Sequence, residues 1–429
     1  MHWNRSMFSP VSSPTFVKSL SVMHGKDIVV VGLQPWDIGI GSNCKNIAIE
    51  FALNNRVLYV NPPLDRLTNI RDRKTAKVQK RRRIRAGKEP ALVAVKENLW
   101  TYYPRKLVES VNGLPDGKLF DHFNRINSKR FVKEIMAVTA QLGFRDVVLF
   151  NDNSIYLGYY LKELLKPSFS IYYIRDFLIK NPYWKKHAVR LEPELIRSAD
   201  LVVTNSELYA SYAAGFNRHA YMVGQGCDIS AFSDPGIAPA KELESIPGPI
   251  IGYTGYLSSR RLDIELLLYL SQAKPSMSFV LVGPEDETFK RSALHGKPNV
   301  FFLGHKDADQ MPSFIKGFDV AINPQSVNEA TEGNYPRKVD EYLAMGKAVV
   351  ARATNAMNYF RDVTYLADSF EAYAEMIEKA LKDNSRELIR RREEVAQSHS
   401  WTNNVGNIYH CINRVMEDAR VSNKHEHSR

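Results

Sequence analysis

The stretch Asn334–Val350, NYPRKVDEYLAMGKAVV, decides the fold. The segment before it, Phe318 to Gln325 (FDVAINPQ), is a short apolar run of the kind that forms a buried parallel strand, and Ala348 to Thr354 (AVVARAT) is another. Between them the pattern predicts a helix of about ten residues that starts near Pro336 and stops at Gly346, because proline is tolerated in a first turn and glycine is favoured just past a last one. A strand, helix and strand in this order is one unit of a parallel α/β sheet. The N-terminus of such a helix faces the carboxyl ends of the strands, where open α/β sheets bind ligands and where unpaired N–H groups favour an anion. Arg337 and Lys338 add full positive charge there, and Glu341, about one turn on, offers a carboxylate to sugar hydroxyls.

The segment resembles the donor-site signature of glycosyltransferase family 4, group 1, a family of the two-domain glycosyltransferase-B architecture; its Pro-x-Lys-x-x-Glu-Tyr-Leu-Ala form is similar to a bacterial polysaccharide-assembly subset. In that family a Glu-x7-Glu pattern precedes small residues, a glycine and an apolar strand. Glu341 takes the place of the second Glu, which the resemblance implies holds the nucleotide ribose. The first Glu falls at Gly333, with Glu332 and Asn334 on either side, so this chain departs from the pattern there. A surface helix with salt-bridged charges is the alternative reading of the same residues.

Strands alternate with helical patterns in both halves, which predicts an α/β chain of two Rossmann-like domains facing a central cleft. The first half offers strands at Asp27–Leu33, Val57–Pro62, Val147–Asn151, Ser170–Asp176, Leu201–Ser206 and Ala220–Gly226. The second adds Pro249–Gly255, Ser278–Pro284 and Val300–His305 to the two around the signature helix. The predicted boundaries are a disordered segment at 1–24, an N-terminal acceptor-side domain at 25–230 and a proline-rich linker at 231–248. A nucleotide-sugar donor domain at 249–398, a helix at 399–418 that the architecture implies crosses back to the first domain, and a tail at 419–429 complete the chain.

Other candidate sites follow the same logic. After the first strand, PWDIGIGSN places Gly39 and Gly41 where backbone can approach a ligand closely, ahead of a helix capped by Ser42 or Asn43. This is not GxGxxG, and the second strand ends in Asn61-Pro62-Pro63 where a dinucleotide site wants an acid, which disfavours a nicotinamide cofactor. The loop resembles the family's N-terminal glycine loop near donor phosphate and acceptor; a purely structural turn is the other reading. In GYLSSRRLDIELL (Gly255–Leu267) a strand, a glycine and a polar turn lead to Arg260 and Arg261, similar to the family's basic pair for the donor diphosphate, whose oxygens a guanidinium matches in a fork. Asp176 ends a strand, where the family carries an acidic or histidine residue near the reacting sugar; it either serves the acceptor hydroxyl or caps the next helix. His187 reads as a surface histidine without a catalytic role. Asp307 and Asp309 form a DxD that opens a helix, so capping explains it without a metal, and Cys227 reads as a structural thiol.

Composition sets the wider limits. The chain has 429 residues, three scattered cysteines (Cys44, Cys227, Cys411) and a net charge of +11. No run approaches the roughly 20 apolar residues of a membrane span, and the cysteine usage suits a reducing compartment. Residues 1–235 hold 34 Lys+Arg against 21 Asp+Glu, and Arg71–Lys88 alone holds ten positive residues against one Asp. Such a run attracts anionic membrane surfaces or nucleic acid, or is a solvated loop with no partner. A membrane is the favoured partner because enzymes of the resembled family often act on lipid-linked acceptors, and no nucleic acid is expected.

The resemblance implies a cytoplasmic, peripherally bound glycosyltransferase that moves a sugar from a nucleoside-diphosphate donor to a glycan or lipid-linked glycan in cell-surface polysaccharide synthesis. It implies retention of configuration and no cofactor beyond the donor. The alternatives are a sugar-nucleotide epimerase of the same architecture, a basic membrane or nucleic-acid binding module without catalysis, and an inactive homologue.

Overall fold

The computed structural model describes residues 23–37, 42–328 and 331–426, with side chains to Val421. The chain folds as two units, Met1–Gly224 with Trp401–Arg429, and Gln225–Ser400.

The first unit is built on an eight-stranded sheet. Its strands are β1 (Asp27–Gly32), β2 (Arg56–Val60), β3 (Leu92–Lys96), β4 (Leu99–Tyr102), β5 (Val148–Asp152), β6 (Phe169–Ile174), β7 (Leu201–Thr204) and β8 (Ala220–Met222). They lie in the order β3-β4-β2-β1-β5-β6-β7-β8, and every neighbouring pair is parallel except the edge pair β3 and β4. Continuous apolar runs such as DIVVVG in β1 are buried along their whole length, as a sheet covered by helices on both faces requires. The first unit's helices used below are α1 (Asn43–Phe51), α2 (Arg66–Arg71), α3 (Ala76–Arg85), α4 (Lys118–Gln141) and α5 (Pro182–Ser198). Strand order reverses between β1 and β5, so the carboxyl ends of these two strands form a switch point.

The second unit has six parallel strands: β9 (Ile250–Thr254), β10 (Ser278–Val282), β11 (Val300–Gly304), β12 (Val320–Asn323), β13 (Ala348–Arg352) and β14 (Tyr365–Ala367). Their order, β11-β10-β9-β12-β13-β14, puts the reversal between β9 and β12. The helices α6 (Ile264–Ala273), α7 (Arg337–Ala344), α8 (Phe370–Lys382) and α9 (Arg386–Ser398) belong to this unit. The chain then rejoins the first unit as α10 (Trp401–Glu426). Val405, Ile408, Tyr409 and Ile412 of α10 enter the core of β1, β5 and α1, where Tyr409 stacks on Phe51 at 5.7 Å and its hydroxyl accepts from Asn55 at 3.0 Å.

Several expectations need correction. The hairpin β3–β4 was absent from the sequence reading; Asn98, at φ 60°, turns it, a conformation asparagine tolerates better than most side chains. The three-residue edge strand β14 also lacked a sequence signal. Residues 231–248 are not a free linker: Ala240, Leu243 and Ile246 are buried in the core of the second unit, and the changeover between units falls at Gly224–Gln225. The last helix extends to Glu426, eight residues past its expected end at 418, so the expected tail is largely helical. Most of the segment expected to be disordered lies outside the described residues, but Met23 is buried in the core of the first unit. Among the described residues, no helix is long and apolar enough to cross a membrane.

His187 is fully buried on α5 rather than at the surface. Its ring stacks on Phe120 of α4 at 3.9 Å, and Nδ1 sits 3.0 Å from the Asp116 carboxylate. Hydrogen bonds from Arg190, joined by that of His187, hold Asp116 well below the usual carboxylate range. One turn further along α5, Glu192 is also buried; its Oε1 accepts from Tyr172 at 2.8 Å, and burial pushes its carboxyl up to about 7.

A carboxyl raised from about 4.5 to about 7 gives stability that is fully present below the unfolded value and lost as pH rises through the folded one. Wild-type stability should therefore fall between about pH 5 and 8 relative to Glu192→Gln, by up to about 3 kcal/mol. Urea denaturation of both proteins across that range measures it; parallel pH profiles would contradict the assignment.

Candidate functional site

In the second unit the switch point between β9 and β12 is closed by backbone contacts among the loops. Leu262 bridges Gln325, the Ser326 N–H donates to the Arg261 carbonyl at 2.8 Å, and the Asp263 N–H donates to that of Pro324 at 2.9 Å. The loop after β10 joins through Leu257 and Glu285. Gly255 and Gly283 meet where these loops converge: a Cβ on Gly283 would lie 1.9 Å from the Gly255 carbonyl oxygen, and both residues have positive φ. Only glycine allows this approach.

Helix α7 starts one residue after Pro336 and runs for eight residues, close to the expectation. Two buried anchors fix its rotation. The Tyr342 hydroxyl accepts from the Thr254 N–H at 2.9 Å, which ties the helix to the carboxyl end of β9. On another face, the Asp340 carboxylate is bound by Tyr335 Oη at 2.9 Å and His399 Nδ1 at 2.7 Å, with Tyr359 stacked on the imidazole at 4.9 Å. Burial pushes the Asp340 carboxyl up, opposed by His399 and Tyr335.

This rotation aims the helix's charges at the switch point. Lys338 is half-buried, with Nζ 4.7 Å from the centre of the Tyr253 ring and close against Gly255; a Cβ on Gly255 would meet it at 3.1 Å. Burial lowers the Lys338 pKa against the opposing pull of Tyr342 and Glu341, and its ammonium forms no ion pair among the described residues. Glu341, 17% exposed, lies 3.5 Å from Arg337 Nε, and burial raises its carboxyl despite Arg337 and Lys338. The cluster holds two cations and one carboxylate that are only partly satisfied by one another, at the place where a phosphate-bearing ligand would sit.

The other expected residues fall in different places. Arg260 and Arg261 are exposed on the loop after β9, and Arg261 is close enough to act electrostatically on Lys338 and Tyr253. Glu332 is tied to the loop after β13: its Oε1 accepts from the Asn355 N–H at 2.8 Å and its carbonyl from that of Ala356 at 3.0 Å. Gly333 is buried beside it, and the Asn334 N–H donates to the Thr331 carbonyl at 3.1 Å. Gly39 and Gly41 lie outside the described residues. Asp307 and Asp309 do not cap the following helix, whose N-cap is Gln310; the Asp307 N–H instead donates to the Gln310 side chain. Cys227 is buried, and its N–H donates to the His399 carbonyl at 2.8 Å. Sequence reasoning missed Asp340, His399, Tyr335 and Tyr342, because 59 and 88 residues separate the partners His399–Asp340 and Tyr342–Thr254.

In the first unit, Asp176 follows β6 at the carboxyl edge of the sheet and caps nothing. Its carboxylate is 44% exposed and pairs with Arg175 Nη1 at 2.7 Å. Arg175 is buried; although burial opposes its charge, Asp152 at 2.9 Å and Asp176 hold it ionised. Asn153, at φ 54°, accepts the N–H groups of both Arg175 and Asp176 at 2.9 Å. The Asp176 carboxylate is thus an exposed group on a buried, hydrogen-bonded base.

Comparison with known proteins agrees with this geometry. Residues 248–383 match the family described as Glycosyl transferases group 1. Two solved structures share the fold over nearly the whole chain: sucrose-phosphate synthase from Thermosynechococcus elongatus (15% identity, TM-score 0.63, 92% of this chain and 100% of that one) and Anabaena HepE in complex with UDP (14%, 0.63, 91% and 100%). The chain has the glycosyltransferase-B fold, and residues 248–383 of its second unit match the group 1 glycosyltransferase family. A curated relative is TuaH of Bacillus subtilis strain 168, named for a glycosyltransferase role in teichuronic acid biosynthesis; it is 26% identical over 225 residues, 49% of this chain. The chain spans about half the length of that relative, 56% of it.

Removing a buried hydrogen-bond acceptor leaves each of its donors unsatisfied, at about 1 to 3 kcal/mol apiece. Asp340→Ala should lose stability by that much for each of Tyr335 and His399, whereas Asp362→Ala on the same unit should stay within about 0.5 kcal/mol, as surface changes do. Chemical denaturation compares them; equal stabilities would show that the anchor carries no load.

Proposed function

We propose that the chain transfers a sugar from a nucleoside-diphosphate donor to a hydroxyl of a glycan or lipid-linked glycan, with retention, in cell-surface polysaccharide synthesis at the inner face of a cell membrane. The observation that carries this reading is the Lys338 ammonium, held against Gly255 without an ion pair at the switch point of the group 1 domain, with Glu341 one turn behind it. The names of the similar proteins support it: HepE has been solved with UDP, with UDP and glucose and with UDP-glucose, and TuaH is named for teichuronic acid biosynthesis.

In this reading Lys338 and Arg337, with Arg261 or Arg260, bind the diphosphate and stabilise the charge that develops as the sugar C1–O bond breaks. Glu341 accepts hydrogen bonds from the ribose hydroxyls. The acceptor oxygen bonds to C1 on the face the diphosphate leaves, and its proton passes to the departing diphosphate. Asp176, with its orientation fixed by Arg175, directs the acceptor hydroxyl. Glu332, Gly333 and Asn334 line the donor sugar's side of the loop. The chain's own cations balance the diphosphate, so no cofactor is invoked.

Glu341→Ala removes charge-assisted hydrogen bonds worth about 1.5 to 3 kcal/mol, so affinity for a nucleoside diphosphate should fall about ten-fold or more. Calorimetry tests this, and unchanged binding would take Glu341 out of the site. Lys338 supplies a pH signature as well. Its charge is lost as pH rises through a value lowered by burial, so diphosphate affinity should decline on the alkaline side earlier than an ordinary lysine near about 10.4 allows. Lys338→Met should bind weakly with that decline removed; an unaltered alkaline limb would assign the effect to another group.

A further inference from the structure

Helix α2 contributes no buried residue to the protein. Its aliphatic side chains Leu67 and Ile70, three positions apart and so on one face, are 56% and 66% exposed. The helix is nevertheless well held from behind by polar contacts. Asp65 caps it at the Thr68 N–H (3.0 Å), Ser110 accepts the Leu67 N–H (2.9 Å), Arg66 pairs with Glu109 (2.7 Å), and Arg82 of α3 reaches the side chain and carbonyl of Asn69 (2.9 and 2.8 Å). A short helix fixed in this way keeps two apolar side chains exposed, with nothing among the described residues to cover them.

The charges around it differ in availability. Of the ten cations in Arg71–Lys88, Lys80 and Arg81 turn inward to Asp37 and the Tyr103 ring, Arg83 pairs with Glu89, and Arg71 with Asp72. Arg82 and Arg85 donate to neutral oxygens and keep their net charge. Arg73, Lys74, Lys77 and Lys88 are exposed, and among the described residues their side chains form neither a hydrogen bond nor an ion pair. Tyr183, 59% exposed, lies near enough to Arg71 to interact with it.

We propose that the first unit docks on an anionic lipid bilayer by inserting Leu67 and Ile70 among the headgroups, with the cations of the α2–α3 segment on the lipid phosphates. Nucleic acid would take the cations but gain nothing from two exposed aliphatic side chains, whereas a bilayer interface favours both. The charge complementarity commits the face to anionic lipid rather than to a zwitterionic surface. The four unpaired cations, each strengthening binding about five-fold near an anionic surface, dominate the first encounter. The aliphatic pair adds a component that salt does not screen.

The test is co-sedimentation of the full chain with vesicles of phosphatidylcholine alone and of phosphatidylcholine with phosphatidylglycerol, across a salt series. Wild type should bind the anionic vesicles more strongly than phosphatidylcholine alone and retain a bound fraction at high salt. Leu67→Ser/Ile70→Ser should lose about ten-fold in partitioning, and salt should release all that remains. Arg73→Ser/Lys74→Ser/Lys77→Ser/Lys88→Ser should lose most of the preference for the anionic vesicles, the rest being carried by Arg82 and Arg85. Both variants change exposed side chains, and unchanged melting temperature and nucleoside-diphosphate affinity check that fold and donor site are intact. Binding by the aliphatic variant equal to wild type, or no wild-type binding to anionic vesicles, would overturn the proposal. Binding to an RNA oligonucleotide in preference to vesicles, insensitive to Leu67 and Ile70, would reassign the face to nucleic acid.

Discussion

The hydrogen bond between the Tyr342 hydroxyl and the Thr254 N–H fixes which way a charged helix faces. An α-helix turns about 100° per residue, so a small roll of α7 about its axis would carry Lys338 off Gly255 and Glu341 off the switch point. Tyr342 holds one side of the helix to β9, and the Asp340 carboxylate holds another through Tyr335 and His399. Each contact alone is worth about 1 kcal/mol or somewhat more, but both are buried, and breaking either would strand a polar group away from water. Orientation is therefore stabilised by the cost of the alternatives more than by the strength of any one bond.

That fixed orientation keeps the site in a state it would not choose by itself. Burial lowers the Lys338 pKa and raises that of Glu341, so both charges are held where they are only partly satisfied. The backbone has been brought as close as it can go, with Gly283 against the Gly255 carbonyl and the Lys338 ammonium above Gly255. A ligand that brings a dianionic diphosphate and a pair of hydroxyls would relieve both shifts at once. Its binding energy would come in part from desolvation already incurred in folding, which is what preorganisation means in electrostatic terms.

What the sequence showed and what it hid divide along a physical line. Parallel strands are continuous apolar runs, so eleven of them were visible, and the helix of the signature stretch was bounded by Pro336 and Gly346 to within about two residues. Lys338 and Glu341 were legible because a helix N-terminus between two such strands has a known direction. Pairing across the chain was not legible. Asp340 reads as one more surface acid until His399 is placed beside it, and His187 reads as exposed because nothing in YWKKHAV announces Phe120 and Asp116 as its neighbours. The hairpin of β3 and β4 was lost for a different reason: β3 is a largely exposed edge strand and β4 is only four residues long, so neither is a continuous buried apolar run.

That basic run shows how far charge counting reaches. Ten positive residues against one acid suggest a uniform cationic surface, yet α3 uses Lys80 and Arg81 to close on Asp37 and Tyr103, and their roles are packing and capture of one carboxylate. Arg81 has only 11% of its side chain exposed, so removing it would disturb the fold before it changed any surface. The charge left to act outward belongs to residues near the ends of the run, Arg73, Lys74, Lys77 and Lys88, together with Arg82 and Arg85 on neutral acceptors. A surface potential depends on such uncompensated charges, because a paired cation is cancelled within about one Debye length. The exposure of Leu67 and Ile70, close to these cations in the chain, is invisible to any count of charge, and it is the observation on which the docking proposal turns.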